Sequence, residues 1–228
     1  MLVSTQPRAE SLVPRESLTR PRRCAGGFTL IELLIVISIL GLLAAVLLPN
    51  ILGMNQAAKE DATSALFVRL DVAVNHFVQK RGYYPPDNFQ APEEKERKAA
   101  WKPDNGVNTG VESLVCFLSQ SGGEGTDLGD LDKALVNTDK DDHGALLPRL
   151  NTKERVEIAD SFRTPIVYFG KFGFDKQQNV GSAEGDTQYA RAKRRTDGRP
   201  IGDGKFQLLS AGKDLVFGTD DDLVWPKN

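Results

Sequence analysis

The sequence predicts an α+β protein. One long N-terminal helix, membrane-spanning in its first half, packs on a small antiparallel head sheet of three or four strands. Three observations lead there. Residues 28–48 form an apolar run of 21 residues, interrupted only by Thr29, Glu32, Ser38 and Gly41. Apolar residues then recur at three- and four-residue steps as far as Phe77. Beyond Tyr83 the readable apolar segments are short, rich in Val, Tyr and Phe, and bounded by Gly, Pro and Asp.

At 228 residues the chain is long enough for one domain or two small ones. Its net charge of −2 indicates no nucleic-acid partner. The charge is uneven, however. Within residues 1–27, Arg8, Arg15, Arg20, Arg22 and Arg23 stand against Glu10 and Glu16. With Pro7, Pro14 and Pro21 and no apolar period, this segment reads as an unstructured cytoplasmic leader. Its length also admits a start codon downstream of Met1. Arginines just before an apolar span hold that end in the cytoplasm, which places the C-terminal bulk in the periplasm of a two-membrane bacterium.

As a helix, residues 28–48 cover roughly 30 Å at about 1.5 Å per residue, the hydrocarbon thickness of a bilayer. A helix apolar on every face needs such an environment. Glu32 is the exception, because an ionisable group inside a span is costly. Two explanations stay open. Glu32 lies near the end of the span and reaches the headgroups, or it has a cationic partner in an assembled state. A free amine on Phe28 of a neighbouring subunit would serve, if the chain were cut after Gly27. An ordinary cleaved signal is a further reading, with Ala44-Ala45 as its small-residue site, although the run exceeds the usual 7–15 residues.

Pro49 predicts a kink or local melting near residues 46–49, and Gly53 adds a second soft point. Beyond them Ala58, Ala62, Leu66, Leu70, Ala73 and Phe77 define a packed helical face, with His76 at its boundary. Arg81-Gly82 ends the helix, Gly82 being a natural cap.

The motif Gly27-Phe28-Thr29-Leu30-Ile31-Glu32, followed by the apolar run and Pro49, resembles the class III signal of type IV pilins and type II secretion pseudopilins. The likeness is closest from Gly26 to about Ala58. It implies cleavage by a prepilin peptidase after Gly27, N-methylation of Phe28, and pairing of Glu32 with the amine of an adjacent subunit. It further implies a leader over 1–27, a transmembrane half-helix over 28–48, an amphipathic half over 49–82 and a periplasmic head over 83–228. The partners it implies are other copies of this chain, the peptidase and the inner-membrane secretion machinery. The function implied is that of a structural subunit of a type II secretion pseudopilus. A type IV pilus subunit and a non-polymerising, single-pass anchored periplasmic binding domain are the alternatives. Cys24 leaves with the leader and Cys116 is then alone, which departs from the disulfide-stapled loop of many true pilins.

In the head, Gly82-Tyr83-Tyr84-Pro85 is similar to the step after the long helix of the major pseudopilin. Residues 93–98 are a solvated charge run, 111–118 a candidate helix on the head, and 121–125 a flexible segment. Asp139-Lys140-Asp141-Asp142-His143-Gly144 is a candidate calcium EF-hand starting at Asp139. It fails, with His143 at position five and Leu150 at position twelve, and reads as a solvated acidic loop. Much of 87–160 is read as an insertion. Asp160 to Phe169 reads as a turn entering a strand. It resembles the pseudopilin pattern of Asp, an aromatic, then Pro, with Arg163 where a Gly is common. Further strands are expected near 188–193, over 205–210 and at 223–225, with Arg191, Lys193, Arg194 and Arg195 on a solvated turn or edge.

One stretch offers site chemistry. Asp214, Asp220, Asp221 and Asp222 lie within nine residues, between two short strands, with Gly212 and Gly218 for tight turns. Hard cations such as Ca2+ take six to eight oxygens from such loops. An acidic solvated hairpin is the plain alternative. Ser210-Ala211-Gly212-Lys213-Asp214, then Phe217-Gly218-Thr219 and the Asp run, is similar to the calcium loop of major pseudopilins. By position, that resemblance assigns side-chain oxygens to Asp214, Asp221 and Asp222 and a backbone carbonyl to Ala211. Asp220 substitutes if the register slips by one, and Mg2+ and Mn2+ share the chemistry. No nucleophile–base pair and no phosphate-cradling glycine loop is present, so no enzyme is read.

Overall fold

The computed structural model describes residues 28–89, 103–120, 131, 133–147, 149–181 and 185–227, without the side chains of 46–53, 120 and 145. The leader, Gly27, the charge run 93–98 and the segment 121–125 lie outside the described residues. The chain divides into two units, Met1–Leu48 and Pro49–Asn228, and helix α1 (Leu30–Arg81) runs through both.

In the first unit every described side chain from 28 to 45 is exposed. Ser38 returns its hydroxyl to the Leu34 carbonyl at 2.8 Å, so that polar interruption is satisfied inside the helix. Among the described residues no helix is long and apolar enough to cross a membrane. The expected local melting at 46–49 is not seen, because α1 continues through Pro49. A proline forfeits one intrahelical hydrogen bond while the flanking turns keep theirs.

In the second unit the buried face of α1 is Thr63, Phe67, Leu70, Ala73, Val74 and Phe77. The expected stripe was set too early: Ala58 and Ala62 are exposed, Leu66 is half-buried, and Phe67 and Val74 do the packing. The 4-3-4-3 steps from Thr63 still follow one helical face. Gly82 caps α1 in the left-handed region (φ 77°), its N–H 2.7 Å from the Val78 carbonyl. Tyr83 then stands edge-on to Phe77, and the Tyr168 hydroxyl donates to the Pro85 carbonyl at 2.7 Å.

Helix α2 (Thr109–Gln120) forms where expected and buries Val111, Leu114, Val115 and Leu118. Cys116 on it is a buried thiol. Three antiparallel strands make the central sheet: β5 (Val167–Phe169), β8 (Gln207–Ser210) and β9 (Leu223–Trp225), in the order β5-β8-β9. Tyr168 pairs with Leu208, and Leu208 with Trp225.

Alternation along these strands serves two cores. Tyr168 and Leu208 join Phe67, Leu70 and Leu114 on the helix side. Val167, Phe169 and Leu209 face Val180 and Ala190 of the hairpin formed by β6 (Gln177–Gly181) and β7 (Thr187–Arg191). Two further pairs were not expected. Strand β1 (Leu135–Val136) pairs with β4 (Glu157–Ile158), and β2 (Asp142–Leu147) with β3 (Thr152–Glu154). They hold the inserted segment against α2. They also overturn the solvated-loop reading of 139–144: His143 is 1% exposed, and Asp139 and Asp141 are only partly exposed.

Candidate functional site

Of the N-terminal motif, Phe28 is 86% exposed, while Gly27 lies outside the described residues. Thr29 and Glu32 build a capping box at the first turn of α1. The Thr29 N–H and hydroxyl donate to Glu32 Oε2 at 2.8 and 2.9 Å, and the Glu32 N–H returns to Thr29 Oγ1 at 3.2 Å. Among the described residues both bonds to the carboxylate fall on Oε2. Glu32 therefore has a role within its own chain that neither open explanation included.

The C-terminal acidic loop is brought together, but largely by its own donors. Gly212 (φ 69°) begins a 3-10 turn, Gly212–Asp214, and an added Cβ there would meet the Asp221 carbonyl at 2.2 Å. Asp221 Oδ2 accepts the N–H groups of Lys213 and Asp214, both at 3.0 Å, and Oδ1 accepts the Thr219 hydroxyl at 2.7 Å. These bonds, the Thr219 hydroxyl foremost, hold Asp221 down at about 2. Asp214 Oδ1 accepts the Val216 N–H at 2.9 Å, Ala211 is buried, and Asp220 is exposed.

Asp222 Oδ2 meets Lys193 Nζ at 2.7 Å and the Gly218 N–H at 2.9 Å. Burial pushes Asp222 above the usual carboxylate range, against the pull of Lys193. The Asp run thus has a basic neighbour that its local sequence did not show. The donor set is hard oxygen, as calcium requires, but Asp222 Oδ1 is its one buried oxygen without a hydrogen-bond partner.

A second acidic cluster, missed in the sequence, lies where the insertion meets α2. It joins Asp104, Glu112, Asp139, Asp141 and Glu157, with the buried Arg155 against Asp104 and Asp141. Arg155 donates to Asp104 at 2.6 Å, to Asp141 Oδ2 at 3.2 Å and to His143 Nδ1 at 3.3 Å. Glu157 is satisfied, its Oε1 accepting from Asn108 at 2.7 Å and from Thr138 Oγ1 at 2.8 Å.

Glu112 is 1% exposed, and neither of its oxygens has a hydrogen-bond partner. Burial, then Asp141, Asp104, Asp139 and Glu157, push it up to about 11. Burial and Asp139 raise Asp141 to about 7 against the opposing pull of Arg155. The available signal is Asn137-x-Asp139-x-Asp141, two residues ahead of the EF-hand frame that starts at Asp139.

Comparison with known proteins addresses the N-terminal motif. Residues 22–48 match the family model for the prokaryotic N-terminal methylation motif. A stretch of 43 residues is 56% identical to the type IV wide pilus major component PilA4 of Thermus thermophilus, covering 19% of this chain and 33% of that protein. Type II secretion system core protein G of Aeromonas hydrophila is 34% identical over 64 residues, 28% of this chain and 45% of its own length. The Escherichia coli protein of the same name is 34% identical over 62 residues, 27% and 43%. The chain thus spans a third to under half of the length of these curated relatives. No solved structure matches it.

The fold and these matches define a class: a pilin-like chain, with a prepilin-type methylation motif opening a long helix that leads to an α+β head. Within that class its likeness is to type IV pilins and to the pseudopilins of type II secretion.

Proposed function

We propose that this chain is a structural subunit of a type II secretion pseudopilus. A prepilin peptidase cuts it after Gly27 and methylates Phe28. Residues 28–48 then span the inner membrane, residues 49–82 carry the amphipathic half of the helix, and the head 83–228 stands in the periplasm. Copies associate through their helices, and the secretion machinery draws on the growing polymer.

The observation that carries this reading is the first unit of the chain. Its apolar side chains, among them Leu30 at 83%, Ile31 at 66% and Leu42 at 70% exposure, are covered by none of the described residues of their own chain. Burial of so much apolar surface requires lipid first and neighbouring helices afterwards. Glu32 serves its own cap through Oε2, and its other oxygen is available to the Phe28 amine of a neighbour. Core protein G is matched over more residues than the pilus component, which favours the pseudopilus. The 56% identity to PilA4 favours the second reading, a type IV pilus subunit.

Calcium at Asp214, Asp221, Asp222 and the Ala211 carbonyl belongs to the same proposal, supported by the partnerless Asp222 Oδ1. The ion would take the place of Lys193 and fix the last strands to the head.

Intact mass and N-terminal sequencing of the protein recovered from membranes should find a chain beginning at methylated Phe28. The assembly role is read with Glu32→Gln and Glu32→Ala, since glutamine can complete the capping box and alanine cannot. Both variants should insert normally and fail to form filaments. Filaments from Glu32→Gln equal to wild type would reduce Glu32 to a helix cap.

A further inference from the structure

We propose that the inserted segment carries a second divalent-cation site, in which Glu112, Asn137, Asp139 and Asp141 bind a calcium ion. The argument begins with the buried oxygens. Among the described residues seven buried side-chain polar atoms have no hydrogen-bond partner, and five of them fall here: Glu112 Oε1 and Oε2, Asn137 Oδ1, Asp139 Oδ1 and Asp141 Oδ1. Native proteins satisfy nearly all such atoms, so five in one place require a common cause.

All five are acceptors. One water brings two hydrogens, and protonation of Glu112 brings one, so neither answers the set. A cation answers every member at once. The buried Arg155 guanidinium beside the cluster bonds Asp104 and Asp141 Oδ2, not the five oxygens without partners. An ordinary helix cap is no alternative for Glu112. It sits in the first turn of α2, but neither oxygen bonds a backbone N–H there.

Two carboxylate groups of calcium-sized span share Glu112, and an ion held by Glu112 would draw Asp139 and Asp141 together. Ligand oxygens of Asp104, Glu112 and Asp141 lie within 4.8 Å of one another, as do those of Glu112, Asp139 and Glu157. Two oxygens on opposite sides of Ca2+, each at 2.3–2.6 Å, are themselves about 4.6–5.2 Å apart. Asn137, Asp139 and Asp141 alternate along one loop, as the first three ligands of a calcium loop do, and Glu112 reaches in from α2 with two oxygens. Asn137 also ties the loop, its Nδ2 donating to the Asp141 carbonyl at 3.0 Å. The all-oxygen set excludes a zinc-type site. Asp104 and Glu157, whose oxygens already accept protein donors, position the loop and do not bind the ion directly. The ion would clamp α2 to β1, β2 and β4, and it does not depend on filament formation.

The test uses the full chain in detergent, stripped with EGTA and melted with and without millimolar Ca2+ or Mg2+, with bound calcium counted by atomic emission. It is run in wild type, in Glu112→Gln, in Asp141→Asn and in the double variant Asp221→Asn/Asp222→Asn. At calcium a thousandfold above its dissociation constant, the melting temperature should rise by roughly 8–16 °C. The rise should persist in the double variant. Glu112→Gln and Asp141→Asn should each weaken binding by at least about 100-fold, beyond the loss seen when outer partners of a metal site are removed. Stripped Glu112→Gln should melt no lower than stripped wild type, because it buries one fewer acid. A wild type indifferent to calcium overturns the proposal. So does a response of the Asp221→Asn/Asp222→Asn variant that survives the further change Glu112→Gln, or one that vanishes only with Asp221 and Asp222.

Discussion

Asp160 offers a quantitative test of how the head is tied together. Its carboxylate is 6% exposed. Oδ1 accepts the Phe162 N–H at 2.8 Å and the Thr164 N–H at 3.0 Å, and Oδ2 accepts the Ser210 hydroxyl. Ser210 in turn accepts the Gly212 N–H at 3.2 Å, and Ser161 donates to Thr63 of α1 at 3.2 Å. One side chain thus links the turn into β5, the end of β8 and, through the next residue, α1. Asp160→Ala removes the acceptor of three donors. Bonds to a charged group contribute about 1.5–3 kcal/mol each, and relief of the buried charge offsets part of the loss, so the net cost should be about 3–5 kcal/mol. Asp160→Asn keeps Oδ1 for the two backbone donors and should cost about 1 kcal/mol.

The same residue sets a pH dependence. Burial raises its folded pKa above the ordinary 3.8, against the bonds from Ser210, Thr164 and Phe162. As pH climbs past that ordinary value the unfolded chain ionises first. The stability this group contributes is therefore complete below the unfolded pKa and is lost as pH rises through the folded one. Asparagine removes that slope. Urea unfolding followed by tryptophan fluorescence across the acid range reads both effects. An Asp160→Ala variant within about 1 kcal/mol of wild type, or an Asn variant with the wild-type acid slope, refutes the reasoning.

Three further outcomes are expected. Phe67→Ala, at a site 1% exposed between α1 and the sheet, should destabilise the head by about 3–5 kcal/mol in urea unfolding. Arg163 holds φ 70° on the surface where the resembling pattern has Gly, so Arg163→Gly should raise stability by about 0.5–1 kcal/mol; a loss would show that the arginine makes a contact that outweighs its strain. Lys193→Met strands Asp222, whose side chain is 1% exposed, and should cost about 2 kcal/mol in a calcium-free melt. Added calcium should recover that loss, and failure to recover it counts against an ion at Asp222.

Where residues carry their own local signal, the sequence was legible. The long helix, its glycine cap, α2 and the strands at 167–169, 207–210 and 223–225 all follow from periodicity and turn chemistry. The face of α1 was set one turn early because small alanines satisfy a spacing rule without reaching the core, whereas Phe67 and Val74 reach it. Strand β6, Gln177-Gln178-Asn179-Val180-Gly181, has almost no apolar content, and only its pairing with β7 makes it a strand. The insertion was opaque for a related reason. Its acidic residues looked solvated in one dimension, and it takes the β1–β4 and β2–β3 pairings to bury them. The link between Lys193 and Asp222 spans 29 positions, beyond any local pattern.

The two acidic clusters of the head are built on opposite terms. At the C-terminal loop, backbone N–H groups, a hydroxyl and the Lys193 ammonium already answer Asp214, Asp221 and Asp222, and one buried oxygen is left over. A cation there replaces a protein group that already does much of its work. At the insertion five buried oxygens of one acidic cluster are without partners, and the buried Arg155 guanidinium bonds other atoms. Like charges in a poorly solvated site repel strongly, and while Arg155 relieves Asp104 and Asp141, Glu112 keeps both oxygens without a partner. The resemblance to pseudopilins points to the first loop, but the physics of unsatisfied oxygens points to the second. The insertion is therefore where this head should depend most on an ion.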